Sequence, residues 1–201
     1  MIRILLADDQ HLVRGALAAL LALEDDFEVV ASVANGAEAV REAVAHRPDV
    51  ALLDVEMPVM DGIAATGEIR SRAPGVRVMI LTTFGRPGYL RRAMDAGARG
   101  FVVKDAPPDR LAAAVRQIYA GRTVVDPALA VASLSHGANP LTDREADALR
   151  AAEEGGTVAD IARELILSEG TVRNYLSAAI GKTGTRTRAE AARVARDNGW
   201  L

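Results

Sequence analysis

The chain has 201 residues, half of them hydrophobic, and a formal net charge of −3. This length suits one large domain or two modest ones, and the small negative charge argues against a protein that coats nucleic acid along its whole surface. Cysteine is absent, which excludes a disulfide framework and a thiolate metal site.

The N-terminal sequence predicts neither secretion nor membrane insertion. Asp8 and Asp9 interrupt the apolar start too soon for a signal peptide. No apolar run approaches the ~20 residues that a membrane-spanning helix needs. We therefore expect a cytoplasmic protein with no membrane partner.

Strand and helix patterns alternate through residues 1–121. Short apolar runs predict strands, and apolar residues at helical spacing predict a helix after each strand. The predicted strands are Ile2–Ala7, Phe27–Val33, Val50–Leu53, Val76–Leu81 and Gly100–Val103. The helices that follow them end near Leu21, His46, Arg72, Ala96 and Gly121. Five βα units in a row predict a parallel sheet covered by helices on both faces.

Four of the five strands end in residues that can do chemistry. Asp8 and Asp9 follow the first strand, Asp54 the third, Thr82 the fourth and Lys104 the fifth. Parallel α/β sheets bind ligands in the crevice at the carboxyl ends of their strands. We therefore expect these side chains to share one rim of the sheet.

Three carboxylates at one rim repel one another, by roughly 1–4 kcal/mol per pair at ~4 Å and an effective dielectric constant of 20 to 80. A hard divalent cation relieves this repulsion, and a shell of oxygen ligands suits Mg²⁺. With Mg²⁺ and Lys104 neutralising charge, the Asp54 carboxylate could attack a phosphoryl group. Thr82 could then donate a hydrogen bond to a phosphoryl oxygen.

Each of these residues also has an ordinary structural interpretation. Asp8 and Asp9 could form a solvated turn between strand and helix, Thr82 is a residue type that strands favour, and Lys104 could be a charge at a sheet edge. The joint pattern at matching strand ends favours the functional interpretation.

Residues 122–138 are predicted to be a linker. Gly, Asn and Pro at its end make it flexible by composition. The apolar residues from Ala128 to Leu134 predict one short helix within it.

Residues 139–201 predict a compact unit of four helices. Thr142 and Glu145 form a capping box at the first helix, and Thr157 and Ser168 cap the second and third. A short helix, a tight turn and a capped longer helix are typical of a helix-turn-helix. Between residues 173 and 196 there are six basic residues and one acidic residue. This positive charge indicates a nucleic-acid contact, with a solvated helix pair as the alternative.

The first half of the chain resembles a response-regulator receiver domain. The resemblance is carried by Asp8-Asp9, by Asp54 with Met57-Pro58 and Asp61-Gly62, by Leu81-Thr82-Thr83, and by Gly100-Phe101-Val102-Val103-Lys104. It implies a five-stranded parallel flavodoxin-like (βα)5 domain over residues 1–121.

The same resemblance implies a phosphoacceptor and a metal site. Asp54 would accept a phosphoryl group from a sensor histidine kinase. Asp9, Asp54 and the backbone carbonyl of Glu56 would hold Mg²⁺, and Asp8 would act through water.

It also implies how the phosphoryl group is recognised. Lys104 would pair with the phosphoryl group, and Thr82 and Phe101 would form a switch pair that reorients when Asp54 is modified. Thr83 and the side chain of Glu56 are less standard for the family, and we expect both to alter the lifetime of the phosphoryl group.

The last part of the chain, residues 139–201, resembles the LuxR-type helix-turn-helix DNA-binding domain. The motifs are Asn139-Pro140-Leu141-Thr142-Asp143-Arg144-Glu145, Asp160-Ile161-Ala162, and Ser168-Glu169-Gly170-Thr171-Val172-Arg173-Asn174-Tyr175. Together with the receiver, they identify the whole chain as a member of the NarL/FixJ family. Residues 23–26, 81–89 and 198–200 most resemble its DesR-like subfamily.

The resemblance implies that the helix from Ser168 to Thr183 enters the major groove of double-stranded operator DNA. The candidates for contacts with base edges are Arg173, Asn174 and Ser177. The candidates for phosphate contacts are Thr171, Tyr175, Lys182 and Arg188.

The family implies a two-component response regulator and not an enzyme. Phosphorylation of Asp54 would promote homodimerisation and sequence-specific DNA binding, and thereby regulate transcription. Two alternative functions come from other classes of protein. A phospho-aspartate phosphatase would use Glu56 as its second acid but leaves the helix-turn-helix without a role. A protein-interaction regulator without DNA binding is disfavoured by the intact Thr171-Val172-Arg173.

Overall fold

The structure is a computed structural model, and it describes residues 1–83, 87–105, 107–127, 129–131, 139–153 and 155–201. The chain divides into an N-terminal unit, which contains nearly all of residues 1–131, and a C-terminal unit that follows it. Within the described ranges, no helix combines the length and the apolar character needed to cross a membrane.

Parallel strands form the central sheet of the N-terminal unit, in the order β2-β1-β3-β4-β5-β6. The strands are β1 Ile2–Ala7, β2 Phe27–Val33, β3 Val50–Asp54, β4 Arg77–Thr82, β5 Gly100–Val103 and β6 Val124–Val125. The predicted parallel α/β sheet is confirmed. The strand order reverses next to β1 and β3, and ligands of such sheets bind at this switch point.

Five helices cover the two faces of the sheet, namely α1 His11–Leu21, α2 Gly36–His46, α3 Gly62–Arg72, α4 Pro87–Ala96 and α5 Pro108–Tyr119. Successive residues of a strand point to opposite faces. Leu5 therefore packs on the side of α2, α3 and α4, whereas Ile4 and Leu6 pack on the side of α1 and α5. Both faces are buried at the inner strands β3 and β4, which are therefore almost continuous apolar runs.

The prediction of five strands was wrong by one. Val124–Val125 forms β6, which pairs in parallel with Gly100 and Phe101 of β5. Two residues are too few to show an alternation of apolar and polar side chains. The strand is therefore recognised from its pairing with β5 and not from its sequence. It lies inside the segment predicted as a linker.

The short helix predicted between Ala128 and Leu134 lies largely outside the described residues. Of that segment, residues 129–131 are described, and they are helical. The backbone N–H of Ala130 donates to the carbonyl of Asp126 at 3.0 Å, which continues the first helical turn.

Helices α6 Asp143–Glu153, α7 Val158–Glu164, α8 Glu169–Thr183 and α9 Arg188–Asp197 make up the described C-terminal unit. The predicted capping box is present, because the Thr142 N–H donates to Glu145 Oε2 at 2.7 Å and the Glu145 N–H donates to Thr142 Oγ1 at 3.3 Å. Buried apolar residues of all four helices form one core. The predicted helical C-terminal unit is confirmed.

Candidate functional site

Three carboxylates meet at the carboxyl ends of β1 and β3. Asp8 and Asp9 follow β1, Asp54 is the last residue of β3, and one oxygen of each lies within 4.8 Å of the others. The register of the two strands explains this proximity, because Ala7 lies opposite Leu53. Asp8 and Asp54 are buried and Asp9 is exposed.

Lys104 lies between two of these carboxylates. Its ammonium nitrogen is 2.7 Å from Asp8 Oδ2 and 2.8 Å from Asp54 Oδ2, and all three side chains are almost fully buried. One ammonium facing three carboxylates leaves an excess of negative charge at this rim of the sheet. Further positive charge would therefore stabilise the site.

The pKa values agree with this charge balance. Burial raises the pKa of the Asp54 carboxyl, and the charge of Asp8 adds to the rise, although Lys104 and the Val55 N–H oppose it. Burial alone would lower the pKa of Lys104, but its bonds to Asp54 and Asp8 outweigh burial and raise that pKa. The ammonium thus remains charged, whereas a negative charge on Asp54 is costly.

The donor set fits a hard divalent cation. Carboxylate oxygens are preferred ligands of Mg²⁺, which usually takes one or two carboxylates together with water or phosphate oxygens. Asp8 Oδ2 is buried, and its 2.7 Å ion pair with the Lys104 ammonium falls outside ideal hydrogen-bond geometry. A cation bound at this rim would give the Asp8 carboxylate a further partner.

Two glycines let the segment after Asp54 pack tightly. A Cβ at Gly62 would lie 1.9 Å from the backbone oxygen of Asp54, and a Cβ at Gly36 would lie 2.5 Å from that of Met60. The N–H of Gly62 donates to the carbonyl of Val55 at 3.0 Å. Asp61-Gly62 is one of the motifs that carry the receiver resemblance, but this close approach of two backbones depends on the tertiary fold.

The carboxylate of Glu56 lies outside the cluster formed by Asp8, Asp9 and Asp54. Its Oε1 accepts a hydrogen bond of 3.2 Å from the hydroxyl of Tyr89 in α4. The metal ligand predicted at this position is the backbone carbonyl, which the side-chain geometry does not test. Tyr89 was missed by the sequence analysis, since no local pattern connects residues this far apart in the chain.

Thr82 and Phe101 are both buried on neighbouring strands, where Thr82 ends β4 and Phe101 lies opposite Ile80. Leu81 lies opposite Asp54 in the sheet, so Thr82 comes one residue further along at the same rim. Its carbonyl accepts a hydrogen bond of 2.8 Å from the Lys104 N–H. Phe101 is fully buried in the core that also contains Tyr89. Thr83 follows β4 directly and is exposed.

The candidates for DNA contact lie on and around α8. Ser168 caps this helix, because its Oγ accepts a hydrogen bond of 3.1 Å from the Thr171 N–H. The exposed candidates are Ser168, Arg173, Asn174, Ser177 and Lys182, and the half-buried ones are Thr171, Tyr175 and Arg188.

Two of the basic candidates have acidic partners that the sequence analysis did not assign. Arg173 Nη2 lies 2.5 Å from Glu169 Oε2 within α8. Lys182 Nζ lies 2.7 Å from Glu145 Oε2, a buried carboxylate of α6. Lys182 must therefore share its ammonium with Glu145 if it also contacts a phosphate.

Both units match known protein families. The family model described as "Response regulator receiver domain" matches residues 4–116, and the one described as "Bacterial regulatory proteins, luxR family" matches residues 139–195. The chain belongs to the NarL/FixJ family of two-component response regulators. The chain therefore combines a receiver domain with a LuxR-type DNA-binding domain, and its relatives are transcriptional regulatory proteins.

Relatives of this response regulator match it over its full length. It is 44% identical to the uncharacterized transcriptional regulatory protein YvfU and 42% identical to the transcriptional regulatory protein DesR, both of Bacillus subtilis, with 100% of each chain covered. The crystal structure of response regulator ChrA of a heme-sensing two-component system is 33% identical, with a TM-score of 0.60, over 100% of this chain and 98% of that one.

Proposed function

We propose that this response regulator controls transcription through phosphorylation of Asp54 by a sensor histidine kinase in the cytoplasm. The observation that carries the proposal is the Lys104 ammonium, held between the buried carboxylates of Asp8 and Asp54. Lysine and aspartate in this arrangement suit phosphoryl transfer, because the cation stabilises charge that the transfer adds.

Asp54 is the nucleophile in this proposal. One of its carboxylate oxygens bonds to phosphorus while the bond from phosphorus to the kinase histidine nitrogen breaks, which leaves an acyl phosphate on Asp54. Asp9, Asp54 and the backbone carbonyl of Glu56 would hold Mg²⁺, with Asp8 acting through water. The metal would supply positive charge for the carboxylates and the phosphoryl oxygens.

Phosphorylation adds up to about two negative charges at Asp54. Lys104 shifts toward the phosphoryl oxygens and gives up part of its contact with Asp8. The Thr82 hydroxyl turns toward the phosphoryl group, and Phe101 rearranges in the space beside it. Thr83, at the exposed end of β4, tunes the lifetime of the modified state.

These movements change the receiver surface around α4 or α5, and two copies then dimerise. A shift of the active state from 1% to 99% of molecules needs a preference of ~5.5 kcal/mol. The dimer places two copies of α8 in the major groove about one turn of double-stranded DNA apart, roughly 10 bp. Arg173, Asn174 and Ser177 read base edges. Ser168, Thr171, Tyr175, Lys182 and Arg188 position the helix on the phosphate backbone.

Molar mass in solution tests the switch. Wild type, Asp54→Ala and the control Glu68→Ala, which changes an exposed acid of α3, are measured with and without Mg²⁺ plus beryllofluoride, a phosphoryl mimic. We expect a dimer only in treated wild type and treated Glu68→Ala. A mass that stays monomeric in treated wild type, or a treated Asp54→Ala that dimerises equally, contradicts the proposed switch.

A further inference from the structure

The outer face of α8 offers few side chains that can reach a base edge. Its exposed positions are 169, 170, 173, 174, 177, 181 and 182. Gly170 and Gly181 have no side chain, and Lys182 is bound to Glu145. The side chains that remain on this face are Glu169, Arg173, Asn174 and Ser177, and the first of them is acidic.

Glu169 occupies the end of α8 that matters most for reading DNA. It is the first residue of the helix, and the N-terminal residues of a recognition helix are the ones that contact base edges. Its carboxylate binds the Arg173 guanidinium at 2.5 Å, one turn along the same face, and at least half of each side chain is exposed. The acid and the base therefore face the groove as a pair.

A carboxylate in this position opposes binding to arbitrary DNA. The duplex carries a phosphate charge about every 1.7 Å along its axis, which repels Glu169. Nη2 of Arg173 is already bound to this carboxylate. A base step that bonds to both side chains offsets these costs. Cytosine N4 donates to a glutamate, and guanine O6 and N7 accept from an arginine.

We infer that Glu169 is a specificity-determining residue that selects a cytosine next to the guanine read by Arg173. The inference rests on the proposed DNA-binding function and adds to it a base preference, namely cytosine at the position that Glu169 contacts. An ion pair that only stabilised α8 would leave the base preference of the protein unchanged. The two roles are therefore separable by experiment.

Selection from a pool of random double-stranded DNA tests the inference. The full-length chain, activated with Mg²⁺ and beryllofluoride, is compared as wild type, Glu169→Gln, Glu169→Ala and Glu164→Gln. Glu164 is exposed on α7 of the same unit, so its replacement removes the same charge from another helix. Enriched sequences are read out, and affinities for single-base variants of the enriched site are then measured.

We expect wild type and Glu164→Gln to enrich the same half-site, with cytosine beside the guanine. Glu169→Gln should replace that cytosine by adenine, because glutamine pairs with adenine N6 and N7. Its preference between the two bases should invert by at least about fivefold at that position. Glu169→Ala should accept several bases there.

Two results overturn the inference while DNA binding stands. One is that Glu169→Gln enriches the same DNA sequence as wild type. The other is a uniform change in affinity with no change of base preference, which would make Glu169 a purely electrostatic group. If activated wild type dimerises but enriches no sequence at all, the proposed DNA-binding function fails and the inference fails with it.

Discussion

Lys104 is the residue on which the charge balance of the receiver pocket depends. Its ammonium faces the buried carboxylates of Asp8 and Asp54. Removing one partner from a buried ion pair is strongly destabilising, by roughly 3–5 kcal/mol, because the charge that remains is uncompensated. A metal cation at the same rim can replace part of the lost charge.

We therefore expect Lys104→Met to lower the melting temperature in metal-free buffer and to make it respond more strongly to Mg²⁺ than that of wild type. The control is Arg41→Met, which breaks an exposed pair with Glu42 that is worth at most about 1 kcal/mol. Thermal unfolding in EDTA gives the melting temperature of the metal-free protein, and unfolding with Mg²⁺ gives the rise in melting temperature that the metal causes. Equal melting temperatures of Lys104→Met and wild type in EDTA would contradict the expectation.

Gly62 shows how a single missing Cβ positions the end of β3, where Asp54 lies. The backbone of α3 approaches the carbonyl of Asp54 so closely that a Cβ would overlap it at 1.9 Å. Neither group is a flexible side chain, so the overlap can be relieved only by moving the helix or the end of β3.

We expect Gly62→Ala to destabilise the receiver by about 1–3 kcal/mol or more and to reduce the beryllofluoride response. Gly67→Ala is the matched control in the same helix, because no neighbouring atom lies within 4 Å of a Cβ there, and it should be neutral or stabilising by about 0.4–1 kcal/mol. Denaturant unfolding measures the free energy of unfolding of both variants. Equal stabilities of the two variants would show that the backbone adjusts freely at Gly62.

Glu145 connects helices α6 and α8, because its carboxylate makes a contact in each of them. Its carboxylate completes the capping box of α6 with Thr142 and binds the ammonium of Lys182 in α8. Burial alone would raise the pKa of Glu145, but Lys182 and the Thr142 N–H outweigh burial, so the pKa lies below its usual range.

This lowered pKa predicts a pH dependence for the C-terminal unit. A carboxyl whose pKa is lower in the folded state stabilises the fold above its unfolded pKa, about 4.3, and that contribution is lost as the pH falls through the folded pKa. Glu145→Gln should thus melt below wild type at neutral pH, and the gap should narrow as the pH falls below about 4. The fluorescence of Trp200, the single tryptophan, reports on this unit because Trp200 packs against its core.

Asp147→Asn is the control for this measurement, since the pair of Asp147 with Arg150 is exposed. It should change the melting temperature little at any pH. A gap between wild type and Glu145→Gln that is the same at pH 7 and pH 3 would mean that Glu145 stabilises the unit through packing and not through its charge.

For the whole molecule, the proposed dimer makes the spacing of DNA half-sites a prediction. Two recognition helices about 10 bp apart read the same side of the duplex. Inserting 5 bp between half-sites found by selection should weaken binding of the activated protein to that of a single half-site. Gel-shift titrations measure the affinity for DNA with the selected spacing and for DNA with the inserted 5 bp. Asp54→Ala is the control, and its affinity should be the same for both DNAs. Equal affinity of the activated protein for both spacings would argue against a rigid symmetric dimer on DNA.

Local signals in the sequence were sufficient for most elements and for the expectation that Asp8, Asp9, Asp54 and Lys104 lie close together. Helix α8, Glu169–Thr183, agrees with the predicted helix from Ser168 to Thr183, because its capping residues Ser168 and Gly184 are its neighbours in the chain. Asp8, Asp9, Asp54 and Lys104 lie at strand ends, and a parallel sheet places those ends at one rim whatever the details of packing.

Only the tertiary structure decided which groups touch. The contact of Tyr89 with Glu56, that of Lys182 with Glu145, the close approach of Gly62 to Asp54 and the pairing of β6 with β5 all join different elements of the chain. Apolar periodicity carries information about one face of one element. Contacts between elements depend instead on strand register and on how closely two backbones approach, which are determined when the whole core packs.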